Sequence, residues 1–298
     1  MQYKPLGHSD LNVSVISFGC MSLPENQEQV NTLLGKAIDK GINFFDTADL
    51  YQRGQNEVMV GKALRQMRKD VIIASKVGNQ LRADGSGWDW NPSKKYILES
   101  IHGTLKRLQT DYLDLYQLHG GTIDDPIDET IEAFEILKEK GLIRQYGISS
   151  IRPNVIREYV RRSNICSVMM QYSLLDRRPE KTCFGLLREN KIGVIVRGAV
   201  AKGLLISKSA DNYLGYDKAQ ITEARQAIHD LSGAERSPAQ TALQFCLAHP
   251  AVSTLAVGAS HLTQVEENAN TPDTPALSEA ALAHLISSVP PRQYEKHR

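Results

Sequence analysis

The chain of 298 residues is 41% hydrophobic and carries a formal net charge of +1, with 35 Lys and Arg residues against 34 Asp and Glu residues. This balance offers no basic field for nucleic acid, and no apolar run approaches the roughly 20 residues that cross a bilayer. Because the N-terminus, MQYKPLGHSD, lacks the apolar region of a signal peptide and the four cysteines form no CxxC pair, we expect a cytoplasmic protein with no disulfide framework, no metal site, and no nucleic-acid or membrane partner.

Eight short apolar runs predict β-strands. Most are apolar throughout rather than alternating, which is typical of parallel strands that are covered on both faces. In chain order they are residues 14–19, 42–46, 71–76, 112–119, 143–150, 167–173, 192–197 and 253–258.

Amphipathic stretches between these runs predict helices. The dipeptides Pro92-Ser93 and Ser237-Pro238 are typical helix entries. A strand followed by a helix, eight times over, predicts an α/β fold of the (β/α)8 TIM-barrel type, with residues 1–298 as a single domain. The predicted helices cover about 26–40, 56–68, 93–108, 126–139, 153–162, 180–190, 237–248 and 261–270.

Three further segments lie outside the eightfold pattern. Residues 2–14 predict an N-terminal β-hairpin around GHSD that closes one end of the barrel, and extra helices are expected within 207–233 and near 277–288 at the C-terminus. The alternative, a doubly wound sheet, would carry G-x-G-x-x-G between its first strand and helix. The sequence GSG at 85–87 leads into WDWN instead, which favours the barrel.

Polar residues end most of the apolar runs, and the C-terminal strand ends are where such barrels hold their chemistry. Any one of these residues can be structural: Asp46 can cap a turn, and a histidine at a strand end is more often structural than catalytic. Lys76 is more informative, because burying an ammonium alone is costly and Asp46 on the neighbouring strand is its natural counter-ion. The strand-end residues are Asp46, Lys76, His119, Ser149, Gln171 or Ser173, Arg197 and Gly258.

Tyr51 follows Asp46 by five residues, and a loop of this length can fold back over the barrel mouth. A nearby cation lowers the pKa of a phenol from its usual value near 10. We therefore predict a proton-transfer group in which Tyr51 is the acid, Lys76 its tuner, Asp46 the counter-ion of the lysine, and His119 a donor to a carbonyl oxygen. Such a group protonates a developing alkoxide, so a hydride donor is implied.

The segments around these residues resemble the aldo-keto reductase superfamily, in its bacterial type, over nearly the whole chain. The family is a (β/α)8 barrel that binds NADPH without a Rossmann motif, and its Asp, Tyr, Lys, His tetrad falls on Asp46, Tyr51, Lys76 and His119. The resemblance implies an NADP-dependent enzyme that reversibly reduces aldehydes or ketones to alcohols. It rests on GINFFDTADLYQRGQNEVMVGKAL, IIASKVG, TLKRLQTDYLDLYQLHG, GLIRQYGISS, QYSLLDRRPE, AKGLL and VGASHLTQVEEN.

Three positions depart from the family pattern near the nicotinamide. In GISS, Ser149 is kept but Ser150 replaces the usual Asn; Met169 replaces a frequent Gln, with Gln171 two residues on and facing the same way. The strand that often ends in Tyr-Ser-Pro-Leu ends here in Arg197-Gly198-Ala199-Val200.

The family's aromatic residue at the position of Arg197 stacks on the nicotinamide. We hypothesise that the planar guanidinium of Arg197 lies against the ring instead, although a cation disfavours the oxidised, positively charged ring. The alternative is that Arg197 pairs with a nearby acid or with the cofactor's phosphates.

The resemblance also implies the remaining cofactor contacts, with the pyrophosphate crossing the loop from Gly198 to Leu204. NADP(H) is the preferred cofactor, but NAD(H) is possible, because only Ser260, His261 and Gln264 are available where relatives often place Lys or Arg to meet the 2′-phosphate. The expected cofactor-binding residues are Cys20, Met21, Asp46, Ser149, Ser150, Gln171, Arg197, Gly198, Val200, Lys202, Gly203, Gly258, Ser260, Gln264, Glu267 and Asn268.

The candidate substrate-binding residues follow the first and third predicted strands. Trp88 and Trp90 in NQLRADGSGWDWN can line the mouth for an apolar or aromatic small-molecule carbonyl, or they can pack this loop onto the barrel. Leu23 is expected on the opposite wall. The alternative function is a nicotinamide-sensing regulatory subunit with little turnover, as some barrel relatives act mainly as partners of membrane channels. A metal-dependent hydrolase would need clustered ligands, and the strand ends offer only His119.

Overall fold

The computed structural model describes residues 1–298 and contains fourteen strands, eight of which form one closed barrel. In chain order the strands are β1 (Tyr3–Pro5), β2 (Asn12–Ser14), β3 (Ile16–Gly19), β4 (Phe44–Asp46), β5 (Ile72–Val77), β6 (Asn79–Leu81), β7 (Trp88–Trp90), β8 (Leu113–Leu118), β9 (Ile143–Ser149), β10 (Ser167–Gln171), β11 (Gly193–Arg197), β12 (Asn212–Tyr213), β13 (Tyr216–Asp217) and β14 (Val252–Val257).

Eleven α-helices accompany the strands, and most lie between consecutive barrel strands. They are α1 (Gln27–Asp39), α2 (Gln55–Leu64), α3 (Lys94–Leu108), α4 (Ile127–Glu139), α5 (Pro153–Arg162), α6 (Arg178–Thr182), α7 (Phe184–Glu189), α8 (Lys218–Asp230), α9 (Pro238–Leu247), α10 (Leu262–Ala269) and α11 (Glu279–Ser287).

The barrel strands pair in parallel in the order β3-β4-β5-β8-β9-β10-β11-β14, and β14 pairs with β3 to close the ring. The predicted TIM barrel is therefore confirmed, with all eight predicted strands within it. Because the strands are parallel, their C-terminal ends all meet at one rim, which we call the mouth. One hydrophobic cluster of 70 buried residues, from Val15 to Val289, packs the helices onto the barrel.

The N-terminal hairpin of β1 and β2 closes the end of the barrel opposite the mouth, as the sequence predicts. Leu6 and Leu11 join the small apolar cluster inside the barrel, together with Phe44 and Ile195. At Gly7, which has a φ of +62°, a Cβ atom would lie 2.2 Å from the carbonyl oxygen of Cys166. Only glycine therefore lets the hairpin approach the strand ends this closely.

Helix boundaries follow the local signals in most places. Ser93 and Ser237 cap the N-termini of α3 and α9 with their side chains, and both expected extra helices are present as α8 and α11. The predicted helix at 180–190 is instead two short helices, α6 and α7, because Cys183 leaves the helical conformation with φ −127° and ψ −41°. The stretch with both tryptophans is an antiparallel hairpin of β6 and β7 rather than an irregular loop.

Candidate active site

Asp46 and Lys76 meet inside the mouth, where β4 and β5 lie side by side. The ammonium nitrogen of Lys76 lies 2.6 Å from Oδ2 of Asp46 and 2.7 Å from the carbonyl oxygen of Thr47, and the lysine is fully buried. An ammonium has three donors. The third is directed at the phenol oxygen of Tyr51, at 3.3 Å, so all three are engaged.

Tyr51 reaches Lys76 through a left-handed turn. Three consecutive residues, Gln52, Arg53 and Gly54, have positive φ angles of 47°, 54° and 84°, which is costly for the two that are not glycine. This turn folds the loop back over the mouth and sets the tyrosine ring 4.9 Å from the ammonium of Lys76. The loop thus brings Tyr51 over the mouth, as the sequence predicts, and it does so through this left-handed turn.

Two hydrogen bonds tie this loop to its surroundings. Thr47 Oγ1 donates to Oδ1 of Asn56 at 2.7 Å, and Nδ2 of Asn56 donates to the carbonyl oxygen of Cys20 at 2.8 Å. Asn56 is fully buried on α2. It therefore joins the end of β4 to the turn that follows β3.

A second set of charged groups lies behind the loop. Glu57 is fully buried, accepts a hydrogen bond from Ser75 Oγ at 2.5 Å, and pairs with Arg107 at 2.6 Å. Asp49 is also buried, and its Oδ1 has no hydrogen-bond partner. Burial, reinforced by the nearby Glu57, raises the pKa of Asp49 to about 7.

His119 completes the group from the end of β8. Its ring lies edge-on to the ring of Tyr51, with centroids 6.1 Å apart and planes at 84°. Burial, together with the positive charges of Lys76 and Arg197, lowers the pKa of His119 to about 3. The imidazole is therefore neutral at physiological pH and carries one N–H donor.

The pKa of Tyr51 is shifted in the direction opposite to the one that the sequence predicts. Burial raises the pKa of Tyr51, and the Lys76 ammonium opposes this effect without overcoming it. Burial alone would lower the pKa of Lys76, but Asp46 and Tyr51 outweigh it and the net pKa is raised. The lysine therefore stays charged while the phenol keeps its proton.

Gln117, which the sequence analysis missed, belongs to the same group. Its Nε2 donates to Oδ1 of Asp46 at 3.2 Å, so both oxygens of that carboxylate are held. The signal was in LYQLH: residue 117 precedes His119 by two and must share its face of the strand. In the barrel this is the inner face of β8, and Gln117 lies near the end of the strand that reaches the mouth.

Arg197 lies at the end of β11, opposite Gln171 in the register with β10. Its Nη1 donates to Oε1 of Gln171 at 3.0 Å, and the exposed side chain forms no ion pair. Nε2 of Gln171 donates to Asp176 at 3.0 Å and to the hydroxyl of Tyr213 at 3.2 Å. Met169, two residues earlier, is buried in the apolar cluster inside the barrel.

The residues expected to hold the cofactor form one arc of the mouth, although they are scattered along the chain. Their strands β9, β10, β11, β14, β3 and β4 are consecutive in the closed barrel. In the loop after β11, four residues have positive φ angles. They are Gly198, Ala201, Lys202 and Gly203. At Gly258, after β14, a Cβ atom would lie 2.1 Å from Oγ of Ser22, so a larger residue would require the Ser22 side chain to move.

Other expected cofactor residues have local partners. Ser150 is buried, and its Oγ accepts a hydrogen bond from the backbone N–H of Arg152. Oε1 of Gln264 accepts from both the backbone N–H and the hydroxyl of Ser260, at the start of α10. Asn268 is buried, whereas Lys202 is exposed. Ser149 and Val200 are half-buried, as is Glu267, whose carbonyl oxygen accepts a hydrogen bond from Gln240.

The expected substrate residues have different surroundings. The ring of Trp90 lies against Gly78 and Gly120, next to His119, and its Nε1 donates to Asp125 at 2.9 Å. Trp88 is 48% exposed beyond it. Leu23 is buried in the main core, whereas Met21, expected to touch the cofactor, is 68% exposed.

The arrangement places the Tyr51 phenol between a buried ammonium and a neutral imidazole. The arc contains two glycines with positive φ, Gly198 and Gly203, and a guanidinium at Arg197 that has no acidic partner, and such a guanidinium can bind a phosphate or stack on a planar ring. No three His, Cys, Asp or Glu side chains are grouped so that they could hold a metal ion. None of the helices has the length and apolar character to span a membrane.

Comparisons with known proteins agree with this geometry. The profile of the aldo/keto reductase family matches residues 15–288. The chain is 48% identical to the uncharacterized oxidoreductase YqkF of Bacillus subtilis, over the full length of both. It is 50% identical to the holo form of aldo-keto reductase AKR11C1 from Bacillus halodurans, with a TM-score of 0.95 over 100% of this chain and 99% of that one. A probable voltage-gated potassium channel subunit beta of Oryza sativa is 29% identical over the full length of both.

Proposed function

The chain belongs to the aldo/keto reductase family, and from that premise we propose that it is an NAD(P)H-dependent oxidoreductase that reversibly reduces aldehydes or ketones to alcohols. One observation carries the proposal: a buried ammonium, Lys76, is held by Asp46 and donates to the phenol of Tyr51, beside His119. A regulatory protein that only binds a cofactor has no evident need to bury such a charge, which is costly without a purpose.

Tyr51 acts as the proton donor in this mechanism. When bound, the reduced nicotinamide supplies a hydride to the carbonyl carbon. Tyr51 gives its proton to the carbonyl oxygen as negative charge develops there, and the ammonium of Lys76 stabilises the phenolate that remains. Because the pKa of Tyr51 is raised by burial, the phenol holds its proton until that charge develops.

His119 orients and polarises the carbonyl. Its neutral imidazole can donate one N–H to the carbonyl oxygen, at the side of the Tyr51 ring. A neutral donor is suited to this role because it strengthens its hydrogen bond as the oxygen gains charge without competing with Tyr51 for the proton transfer.

The arc of strand ends from β9 to β4 would hold the cofactor. In this proposal Ser149, Ser150 and Gln171 hold the carboxamide end, the pyrophosphate crosses the loop from Gly198 to Leu204, and the segment from Gly258 to Asn268 holds the adenosine end. The exposed side chain of Lys202 in that loop supports the second assignment, because an ammonium can bind a phosphate. We propose NADP(H) as the preferred cofactor, with NAD(H) also accepted.

Arg197 would lie against the nicotinamide ring. Its guanidinium is exposed at the strand end, is fixed by Gln171, and has no acidic partner. The absence of an ion pair supports stacking over the alternative in which Arg197 serves a neighbouring acid.

We propose that the substrate is an apolar or aromatic carbonyl compound. Ten large hydrophobic residues are exposed, and six of them lie on loops that follow barrel strands, so they surround the mouth. This apolar rim consists of Met21, Leu81, Trp88, Ile123, Ile151 and Leu214. Apolar side chains around the approach to a reactive site favour substrates with an apolar body.

We also propose that residues 1–298 function as one domain in the cytoplasm. The single large core cluster supports the first point, because it joins helices from both halves of the chain. Four buried, unpaired cysteines support the second, since free thiols persist in a reducing compartment.

Steady-state oxidation of NADPH with a panel of aldehydes tests the proposal. We expect turnover with aromatic and medium-chain aldehydes, and a lower kcat/KM for small or charged ones. Titration with NADPH and NADH, followed by protein fluorescence, gives the Kd of each, and a lower Kd for NADH would overturn the cofactor preference. No turnover across the panel, in a protein that binds NADPH tightly, would overturn the enzyme proposal.

That last outcome would favour the second candidate, a nicotinamide-sensing regulatory subunit. The full-length similarity to the rice potassium channel subunit is the observation that keeps this candidate in view.

A further inference from the structure

Gln117 has two polar ends, and only one has a partner within the chain. The side chain is fully buried on the inner face of β8, with Nε2 donating to Oδ1 of Asp46. Because a carboxylate oxygen can only accept, this bond fixes the orientation of the amide: Nε2 faces Asp46, and Oε1 faces away from it. Oε1 is buried and accepts no hydrogen bond from any protein group.

A second buried atom in the same situation lies two residues along the strand. Nδ1 of His119 is also buried without a protein partner. The backbone N–H of His119 donates to the carbonyl oxygen of Val77, so the strand geometry continues past Leu118. Residues 117 and 119 therefore share the inner face, with their α-carbons about 7 Å apart.

Two buried polar atoms on one face are thus left without a hydrogen-bond partner from the protein, which is unfavourable. A single water molecule solves both cases, because two hydrogen bonds of about 2.8 Å span the separation that two inward side chains can leave between their tips. Such a water must donate to Oε1 of Gln117, since that atom only accepts. If the water instead accepted a hydrogen bond from Nδ1–H of His119, its second hydrogen would be left as a buried donor without an acceptor, which is rare. The water therefore donates its second hydrogen to Nδ1 of His119.

We infer that Gln117 is a positioning residue: through a water shared with Nδ1 of His119, it holds the imidazole in the tautomer that carries its proton on Nε2. The two ends of Gln117 thereby connect Asp46 with His119. The inference rests on the proposed function for its catalytic meaning, because only the Nε2–H tautomer presents a donor to a carbonyl oxygen at the mouth. Its structural part stands without any turnover.

The tautomer can be read directly by ¹⁵N NMR of the full-length protein labelled at histidine, without cofactor. The spectrum of His119→Asn identifies the His119 signals among the eight histidines. We expect wild-type His119 as the Nε2–H tautomer from pH 5 to pH 8. In Gln117→Met, which is nearly isosteric but cannot accept from the water, we expect a mixture of both tautomers.

Gln244→Met is the matched control. Gln244 is a buried glutamine on α9 that donates to the carbonyl oxygens of Thr271 and Thr274, far from the mouth. It makes the same chemical change and leaves the His119 signals as in the wild type. If Gln117→Met does not fold, Gln117→Asn keeps both polar ends one methylene short and should give the same tautomer mixture.

Kinetics provide a second readout. We expect Gln117→Met to lower kcat by between about 10- and 100-fold, with the Kd of the cofactor unchanged. A wild-type His119 in the Nδ1–H tautomer, or an unchanged Nε2–H tautomer in Gln117→Met, would overturn the inference. Failure of the wild-type protein to reduce any carbonyl would instead overturn the proposed function and leave the NMR result standing.

Discussion

The ammonium of Lys76 donates its longest hydrogen bond, 3.3 Å, to the phenol oxygen of Tyr51, while its two shorter bonds go to Asp46 and to the backbone of Thr47. The lysine is thus anchored by the two short bonds and approaches the phenol more loosely. In the proposed mechanism, this arrangement leaves room for the Lys76–Tyr51 bond to shorten when the phenol oxygen becomes negative.

Replacing Tyr51 by Phe should remove the proton donor and little else. We expect kcat for carbonyl reduction to fall by about 10² to 10⁴, with the Kd of the cofactor unchanged. Steady-state kinetics and fluorescence titration measure the two quantities. Tyr159→Phe is the control, because the hydroxyl of Tyr159 is buried on α5 without a partner. Full activity in Tyr51→Phe would assign the proton to another group.

Removing both members of the buried ion pair should cost less stability than the sum of the losses from removing each one alone. Lys76→Met leaves the Asp46 carboxylate buried without its counter-ion, which typically costs about 3–5 kcal/mol. In Lys76→Met/Asp46→Leu no charge remains to be compensated, so we expect a smaller loss than the sum of the two single changes. Urea denaturation of the three variants measures this coupling.

The control for that cycle is Arg82→Met, which breaks the exposed ion pair between Arg82 and Asp89 and should leave the denaturation midpoint unchanged. Additive losses in the buried pair would mean that Lys76 and Asp46 are not coupled.

Arg197→Tyr tests whether the guanidinium stacks on the nicotinamide. A cation against the ring disfavours the oxidised, positively charged form, so an aromatic residue should increase the affinity for oxidised cofactor relative to reduced cofactor. Fluorescence titration with both forms gives the ratio of the two Kd values. Tyr213→Phe loosens Gln171 without changing any charge and separates the loss of the Arg197–Gln171 bond from the loss of the cation. Equal Kd values and turnover in wild type and Arg197→Tyr would rule out stacking.

Asp49 should make the stability of the protein depend on pH between about 4 and 7. Its pKa rises from 3.8 to about 7 on folding, because burial and Glu57 outweigh Arg107 and Lys76 and the backbone N–H of Leu50. The folded state therefore keeps a proton that the unfolded state has lost, and stability falls as pH rises through this window.

Asp49→Asn has no such proton to keep. Relative to the wild type, we expect it to gain about 3 kcal/mol between pH 5 and pH 8, from about 1.4 kcal/mol per pKa unit. Denaturant titrations of both proteins at each pH measure the difference. A difference that is constant from pH 5 to pH 8 would show that Asp49 ionises normally in the folded protein.

The barrel itself was predictable because each of its strands is a short apolar run and each run ends in a polar or glycine residue. The parallel ladder makes these ends converge, so the neighbourhood of Asp46, Lys76 and His119 followed from the order of the strands. Lys76 in particular could be assigned a counter-ion, because its burial in VIIASK required one.

The details that the sequence left open depend on groups brought together by the tertiary fold. The left-handed turn at Gln52 and Arg53 contains only one glycine, so local propensity gave no sign of it. The net rise in the pKa of Tyr51 depends on how deeply the phenol is buried, which no sequence spacing reports. Likewise, the helix predicted at 180–190 is interrupted at Cys183, whereas its one glycine, Gly185, lies inside the second of the two helices.

Gln117 lies between these two cases. The sequence LYQLH shows that Gln117 and His119 lie on the same face of the strand. It does not show that Gln117 belongs to the site, because that depends on the residue to which its side chain donates. That partner, Asp46, is 71 positions away.

The barrel closes where β14, the last of its strands in the sequence, pairs with β3, the first. Thr254 on β14 donates to the carbonyl oxygen of Ser14 across 240 positions of chain. Asp46, Tyr51, Lys76 and His119 all lie within the first 119 positions, whereas β14 begins at position 252. A chain that ends before β14 therefore leaves β3 and β11 each with an unpaired edge, and the barrel can close only once β14 has been made.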